Sequence, residues 1–184
     1  DTTVLNNILP DISHSLHTGV LASKLAITSY LVSFGIFIPI SVWLSTRFGS
    51  RQPLILALIG FIISSVLCGL AFNIEMLVAF RVLQGFFAPL LLPISQTSMI
   101  RLSSSMVDVS AKIGLYSIAS ASAGQILGAF LTQYLSWRLV FFINLPIGLI
   151  SLYYVMKYFY VPFDTKRIKL DVVGFLVIGL SIGM

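Results

Sequence analysis

The sequence predicts an all-α integral membrane protein, built as a bundle of membrane-spanning helices. Five long apolar runs carry no charge apart from Arg81 and, near the end of the last run, Lys157. Each run approaches the ~20 residues that a helix rising ~1.5 Å per residue needs to cross a ~30 Å hydrocarbon core. The chain is 58% hydrophobic and 9% charged, with a mean hydropathy of +1.02. Soluble domains carry about 25% charged residues, so a soluble fold is excluded.

All the spans belong to one predicted domain, residues 1–161, the N-terminal transmembrane bundle. Its first helix is partial and is expected to break at Pro10, which leaves an outer loop running to Lys24. Residues 162–170 are expected to form a loop, and residues 171–184 the start of a truncated seventh helix. Because both ends fall within apolar helices, the natural protein is expected to be longer. The five complete spans are expected at about 25–45, 54–72, 76–100, 113–134 and 139–161.

The basic residues define the predicted topology. Eight of the eleven Lys and Arg residues lie in or beside three polar breaks, and the alternate breaks are nearly free of them. Cytoplasmic loops carry such an excess, so loops 46–53, 101–112 and 162–170 are expected in the cytoplasm. The chain is therefore expected in the cytoplasmic (inner) membrane, and its net charge of +5 does not indicate a nucleic-acid partner. The single cysteine excludes an intramolecular disulfide framework.

Arg81 is the most informative polar residue inside the apolar runs. It lies five residues into its span, roughly 8 Å below the outer boundary at ~1.5 Å per residue. Arginine at a helix centre costs ~2.5–3.5 kcal/mol on insertion scales, so Arg81 is expected to face a protein interior or an aqueous cavity. The alternative is that its side chain extends back to the outer headgroups. Gln84, one turn further on the same face, favours the interior position.

Asp1 is the second candidate. If its run is helical, it lies nine residues before Pro10 and therefore ~13 Å below the outer surface. A carboxylate at that depth is desolvated unless a cation such as Arg81 compensates it, which makes Asp1 a candidate proton carrier. The alternative is that Asp1 is merely the polar start of this chain. His14 and His17 share HxxH spacing but lack further ligands nearby, so no metal site is expected.

The motifs, read in order, resemble those of the fourteen-helix drug:proton antiporters of the major facilitator superfamily. Residues 1–10 resemble the first-helix motif, an Asp followed by a Thr, Val and Asn run that ends in Pro. Residues 41–51 occupy the place of the loop signature between the second and third helices, and residues 81–85 match the fourth-helix signature. The residues that carry these two matches are Arg47, Gly49, Arg51, Arg81, Gln84 and Gly85.

Two further motifs extend the resemblance over nearly the whole chain. Gly124 and Gly128 lie where the antiporter motif of the fifth helix belongs, and their GxxxG spacing lets helix backbones approach closely. Residues 137–148 follow the pattern WRxxFxINxPxG, which is the most specific match. Its motif residues include Trp137, Arg138, Asn144, Pro146 and Gly148.

The resemblance implies a proton-coupled secondary transporter with alternating access, in which the first and fourth helices face a central cavity. In this interpretation Asp1 and Arg81 form the proton-coupling pair, and Asn6, Tyr30 and Gln84 line the cavity. The implied substrates are small hydrophobic or cationic drugs that leave the cytoplasm in exchange for protons. The expected partners are membrane lipid and the missing C-terminal half of the transporter, and no cofactor beyond the proton gradient is expected.

Two other functions remain open at this point. One is a proton-coupled uptake transporter of the same fold that carries a metabolite inward. Another is an inactive truncated bundle, or a membrane-embedded interaction partner, because an isolated half lacks the bundle that closes its cavity. An intramembrane enzyme would need a nucleophile and a base at one depth, and the sequence contains no such set, so the chain is not expected to be an enzyme.

Overall fold

A computed structural model of the protein describes residues 2–102 and 136–159, together with 114–115, 118–119, 122–124, 126 and 130. Its helices are α1 (Thr2–Ser15), α2 (Val20–Phe48), α3 (Arg51–Gly69), α4 (Ile74–Leu102), α5 (Leu139–Phe142) and α6 (Asn144–Tyr158). Within these residues, four stretches are long and apolar enough to cross a membrane: Leu21–Phe48, Arg51–Gly69, Ile74–Leu91 and Leu139–Tyr158. The predicted all-α membrane bundle is confirmed.

The structure gives helix bounds for four of the predicted spans. Helix α2 begins and ends a few residues outside the predicted 25–45, and α4 is likewise longer than the predicted 76–100. Most of the predicted span 113–134 and all of residues 162–184 lie outside the described residues. The predicted loop 162–170 and the seventh helix therefore stay predictions.

The expected helix break at Pro10 is wrong, because α1 continues through Pro10 to Ser15. A proline removes one backbone hydrogen bond from a helix and disfavours its interior. Here Leu9, Ile12 and Leu16 recur on one face and are all buried in a core cluster. Burial of each such side chain stabilises by about 1.5–3 kcal/mol, which offsets the lost bond. The turn before α2 is therefore only residues 16–19 long.

Helix α4 lies between α2 and α3 and packs against both. The contact with α2 is closest at Gly85, where a Cβ atom would lie 2.6 Å from the Tyr30 carbonyl oxygen and 2.8 Å from the Ser33 Cβ. The Ser33 hydroxyl donates to the Val82 carbonyl at 2.8 Å. Because Gly85 has no side chain, the two backbones approach closely enough for this bond to form.

Helices α5 and α6 form one span that is interrupted at Ile143 and anchored on α3. The Asn144 amide Nδ2 donates to the Ser65 hydroxyl at 3.0 Å. That hydroxyl in turn donates to the Phe141 carbonyl at 2.9 Å. Pro146 lacks the N–H that a helix would use near this point. The Ser65 hydroxyl of α3 bonds to residues on both sides of the interruption and so stabilises it. The motif residue Asn144 therefore has a structural role.

The turn between α2 and α3 is short and depends on glycine. Gly49 has φ 81° and ψ 169°, a backbone conformation that L side chains rarely adopt. Beyond the turn, the Arg51 Nη2 donates to the Met156 carbonyl at 2.7 Å, which joins the start of α3 to the end of α6. Arg47 is exposed, and its guanidinium carbon lies 5.2 Å from the Trp43 ring centroid.

Candidate functional site

Arg81 lies inside the bundle. It follows the start of α4 by about two turns, and its side chain is 1% exposed. Its Nη1 donates to the Gln84 Oε1 at 2.8 Å, a bond between residues one turn apart on the same face. The interior position expected for Arg81 is confirmed, and extension to the outer headgroups is excluded in this conformation.

Two aromatic rings lie against the Arg81 guanidinium. Its central carbon is 4.5 Å from the Phe141 ring centroid and 5.3 Å from the Tyr30 ring centroid. A cation over a desolvated aromatic face gains about 2 kcal/mol. Tyr30 is itself buried, at 9% exposure, so it packs beside Arg81 in this conformation. Phe141 comes from α5, so the site joins α2, α4 and α5.

Gln84 is fully buried, and its two amide atoms differ in their partners. The Oε1 accepts from Arg81 and lies 3.9 Å from the Cys68 Sγ, which is also buried. Among the described residues, the Nε2 has no hydrogen-bond partner, and the Arg81 Nε also has none. We name the set Arg81, Gln84, Tyr30, Cys68 and Phe141 the arginine cluster.

The arginine cluster is chemically incomplete. Among the residues that the structure describes, no ion pair to Arg81 is present. An unsatisfied buried donor costs about 1–3 kcal/mol, and more when it is charged. The cluster therefore presents two donor nitrogen atoms without a described partner and a positive charge, which together favour an anion or another hydrogen-bond acceptor.

A second arginine lies at the end of the bundle that is predicted to face outward. The Arg138 Nη2 donates to the Ala71 carbonyl at 3.2 Å, and its Nη1 donates to the Ser15 hydroxyl at 3.5 Å. Its guanidinium carbon also lies 4.5 Å from the ring centroid of Trp137. Arg138 therefore joins the end of α1, the turn after α3 and the start of α5. We name this arrangement the outer clasp.

Comparison with known proteins identifies the family. The family model of the Major Facilitator Superfamily matches residues 1–178. The chain belongs to this superfamily. It is 34% identical, over its whole length, to the Fatty acid resistance protein FarB of Neisseria gonorrhoeae, and 32% identical, over 99% of its length, to the Probable transport protein HsrA of Haemophilus influenzae. The identity to the Putative multidrug resistance protein MdtD of Pectobacterium carotovorum is 31%, over the whole chain.

The chain spans only part of these superfamily relatives, namely 37% of FarB, 40% of HsrA and 39% of MdtD. Superfamily membership, together with the four candidate spans, makes the chain a multi-pass membrane protein and points to a transporter rather than an enzyme. The resemblance to this superfamily seen in the motifs is confirmed.

Several motif residues of the superfamily lie where the structure gives limited detail. Asp1 and Gly128 are outside the described residues, and Asn6 belongs to α1 with its side chain undescribed. Gly124 is helical, and nothing described lies within 4 Å of a Cβ built on it. By contrast, a Cβ on Gly148 would lie 2.5 Å from the Ile62 Cγ1, so Gly148 lets α6 pack closely on α3.

Two members of the arginine cluster are absent from the sequence-based candidates. Phe141 occupies the aromatic position of the WRxxFxINxPxG pattern, and that position is the signal that could have identified it. Cys68 had no signal beyond its place in an apolar run. Among the described residues, no group of three or more His, Cys, Asp or Glu side chains could hold a metal ion.

Proposed function

We propose that this chain is the N-terminal bundle of a proton-coupled secondary transporter that exports hydrophobic or cationic compounds by drug/H⁺ antiport. The observation that carries the proposal is the buried Arg81 guanidinium inside a membrane-spanning helix, whose Nε has no partner among the residues that the structure describes. The names of MdtD and FarB, which are resistance proteins, support export over uptake. Proton coupling rests on the chemistry of the cluster and on Asp1.

Energetics support a functional role for Arg81. Insertion of arginine at a helix centre costs ~2.5–3.5 kcal/mol. One hydrogen bond to Gln84 and two aromatic faces compensate part of this cost, yet the Nε donor remains unpaired. A group that serves packing alone is readily replaced by an apolar residue at such a position. A charge at position 81 is explained if the surroundings of Arg81 change during the transport cycle.

The positions of Thr2 in α1 and Arg81 in α4 indicate how far apart in depth the two proposed coupling residues, Asp1 and Arg81, lie. Both Ser15 and Ala71 contact Arg138, so the ends of α1 and α3 lie at one level. Thr2, the first residue of α1, is 13 residues from Ser15 and therefore about 20 Å from that level. Arg81 is about 10 Å beyond the start of α4.

Thr2 and Arg81 therefore differ in depth by roughly 10 Å, and we propose that Asp1 acts on Arg81 electrostatically at a distance of about this size instead of through a direct ion pair. Two unit charges about 10 Å apart interact by about 1.7 kcal/mol at an effective dielectric constant of about 20. If the two residues approach this closely in only one of the outward- and inward-open states, protonation of Asp1 shifts the balance of those states by up to about 17-fold. Asn6 belongs to α1 between these two levels, and its place among the cavity-lining residues stays a prediction.

The decisive experiment is transport by the intact transporter reconstituted in vesicles. With an imposed pH gradient, the wild-type protein is expected to export a cationic dye against its concentration gradient. Asp1→Asn is expected to abolish this accumulation while downhill efflux continues. Asp11→Asn is the matched control, since Asp11 is an exposed carboxylate on the same helix. Proton-driven efflux that is unaffected by Asp1→Asn would remove the proposed coupling.

A second substrate class is favoured by one observation. Within the described residues the positive charge of Arg81 lacks an ion pair, and an amphipathic carboxylate would supply the missing anion. The relative FarB is named for fatty acid resistance. The same vesicles therefore test a medium-chain fatty acid beside the dye. Export of the fatty acid alone would select this class, and proton-driven uptake of either compound would contradict export.

A further inference from the structure

The last two turns of α6 carry a group of aromatic side chains around one cation. Tyr153, Tyr154 and Tyr158 are 56%, 57% and 64% exposed, and Lys157 is also exposed. The Lys157 Nζ donates to the Tyr153 hydroxyl at 3.0 Å. The same atom lies 5.4 Å from the Tyr153 ring centroid and 5.2 Å from the Tyr158 ring centroid. We name Tyr153, Lys157 and Tyr158 the lysine cage.

The cage fixes the position of a charge that is usually mobile. An ammonium group has three N–H donors, and the bond to Tyr153 uses one. Tyr158 also takes part in a side-chain hydrogen bond with Lys157, which leaves one N–H donor for a ligand. Contacts with two rings reduce the freedom of the Lys157 side chain before a ligand arrives, so binding loses less side-chain entropy. An exposed lysine without such contacts has no comparable preorganisation.

A second cation lies at the same end of α6. Arg51 donates from Nη2 to the carbonyl of Met156, the residue that precedes Lys157. Both cations lie at the predicted cytoplasmic surface, where tyrosine side chains typically occupy the headgroup level. The surface of that leaflet is negative because of its anionic lipids.

We propose that the lysine cage, with Arg51 beside it, binds the headgroup phosphate of an anionic phospholipid in the cytoplasmic leaflet. The apolar surface of α6 supports a lipid over a soluble anion or a peptide. Ile147 and Ile150 are 57% and 59% exposed, and they continue the face of Tyr154 towards the bilayer centre. This face accommodates an acyl chain while the phosphate contacts the cage.

The test measures lipid retention by the intact transporter in detergent, with native mass spectrometry as the readout. Phosphatidylglycerol and phosphatidylcholine with identical acyl chains are supplied in equal amounts. Lys157→Gln is expected to lower the preference for phosphatidylglycerol about fivefold, the contribution of one basic residue near an anionic surface. Lys157→Arg is expected to keep the preference within about twofold of wild type, because the charge is retained.

Two matched controls distinguish a specific site from general attraction. Lys24→Gln removes an exposed lysine at the opposite end of the bundle and is expected to leave the preference unchanged. Tyr153→Phe removes the hydroxyl that holds Lys157 and is expected to weaken the preference for phosphatidylglycerol. Tyr154→Phe is its control, because it removes the hydroxyl of an equally exposed tyrosine outside the cage and is expected to leave that preference unchanged. An unchanged preference in Lys157→Gln, or equal losses in Lys157→Gln and Lys24→Gln, would overturn the site. The readout is binding, so its result is independent of the proposed transport.

Discussion

Two arginines in this bundle have nearly opposite environments. Arg138, in the outer clasp, donates to neutral oxygens of Ala71 and Ser15 and lies over the Trp137 ring. It is partly exposed, whereas Arg81 is buried. Within the described part of the chain, Arg81 bonds only to a side chain of its own helix and its Nε has no partner.

The difference distinguishes a structural charge from a functional one. The bonds of Arg138 join separate elements, so the fold gains stability from them. Among the described elements, no hydrogen bond joins Arg81 to another helix, and burial of its charge is expected to oppose folding. A buried polar group that is incompletely satisfied fits the pattern of functional sites.

Replacement of each arginine by glutamine is expected to change transport and stability more than the other substitutions below. Arg81→Gln is expected to lower transport by the intact protein at least about tenfold, equivalent to ~1.4 kcal/mol of activation free energy. Its thermal stability in detergent is expected to stay the same or rise, because a buried charge is removed. The measurements are vesicle transport rates and thermal unfolding of the same preparations.

Arg138→Gln is the counterpart, and it is expected to lower stability instead of transport. Loss of its two hydrogen bonds is expected to reduce stability by about 1.5–3 kcal/mol, while transport per folded molecule is largely kept. If both variants lose stability and transport together, the distinction between a structural and a functional arginine is wrong.

Gly85→Ala tests whether the arginine cluster depends on close packing of α2 and α4. A Cβ there would lie 2.6 Å from a backbone oxygen of Tyr30, and backbone cannot move aside as a side chain can. Overpacking of this kind is expected to reduce stability by about 1–3 kcal/mol and to displace Tyr30 from Arg81. Thermal unfolding measures the first effect, and transport the second.

Gly124→Ala is the control for that change, since nothing described lies within 4 Å of its added Cβ. It is expected to alter stability by less than about 0.5 kcal/mol. Equal losses from the two substitutions would show that the packing around Gly85 is not special.

The sequence predicted those features that the bilayer itself imposes. Long apolar runs located the spans because the hydrocarbon core fixes their length. The interior position of Arg81 followed from the high cost of a charge in lipid. The continuation of α1 past Pro10 did not follow, because it depends on burial of Leu9 and Ile12 against other helices. No local pattern reports such tertiary stabilisation.

The arginine cluster was only half predictable for a similar reason. Arg81 and Gln84 share one helical face, so their contact is local and visible as spacing. Phe141 is 60 positions further along the chain than Arg81, and it reaches the guanidinium only because α5 is anchored on α3. That anchor is the hydroxyl of Ser65, which bonds across 76 positions of sequence.

Ser65→Ala gives the smallest effect and tests whether that anchor supports the cluster. The substitution removes a donor to the Phe141 carbonyl and an acceptor for Asn144. Since interhelical hydrogen bonds in membranes average about 0.6 kcal/mol each, a loss of about 1 kcal/mol in stability is expected. Ser64→Ala is the matched control, because Ser64 is equally buried but donates only to the Phe61 carbonyl of its own helix. A loss confined to Ser65→Ala, with reduced transport, would tie the position of Phe141 to the function of Arg81. Equal stability of the two variants would mean that van der Waals packing alone holds α5 in place.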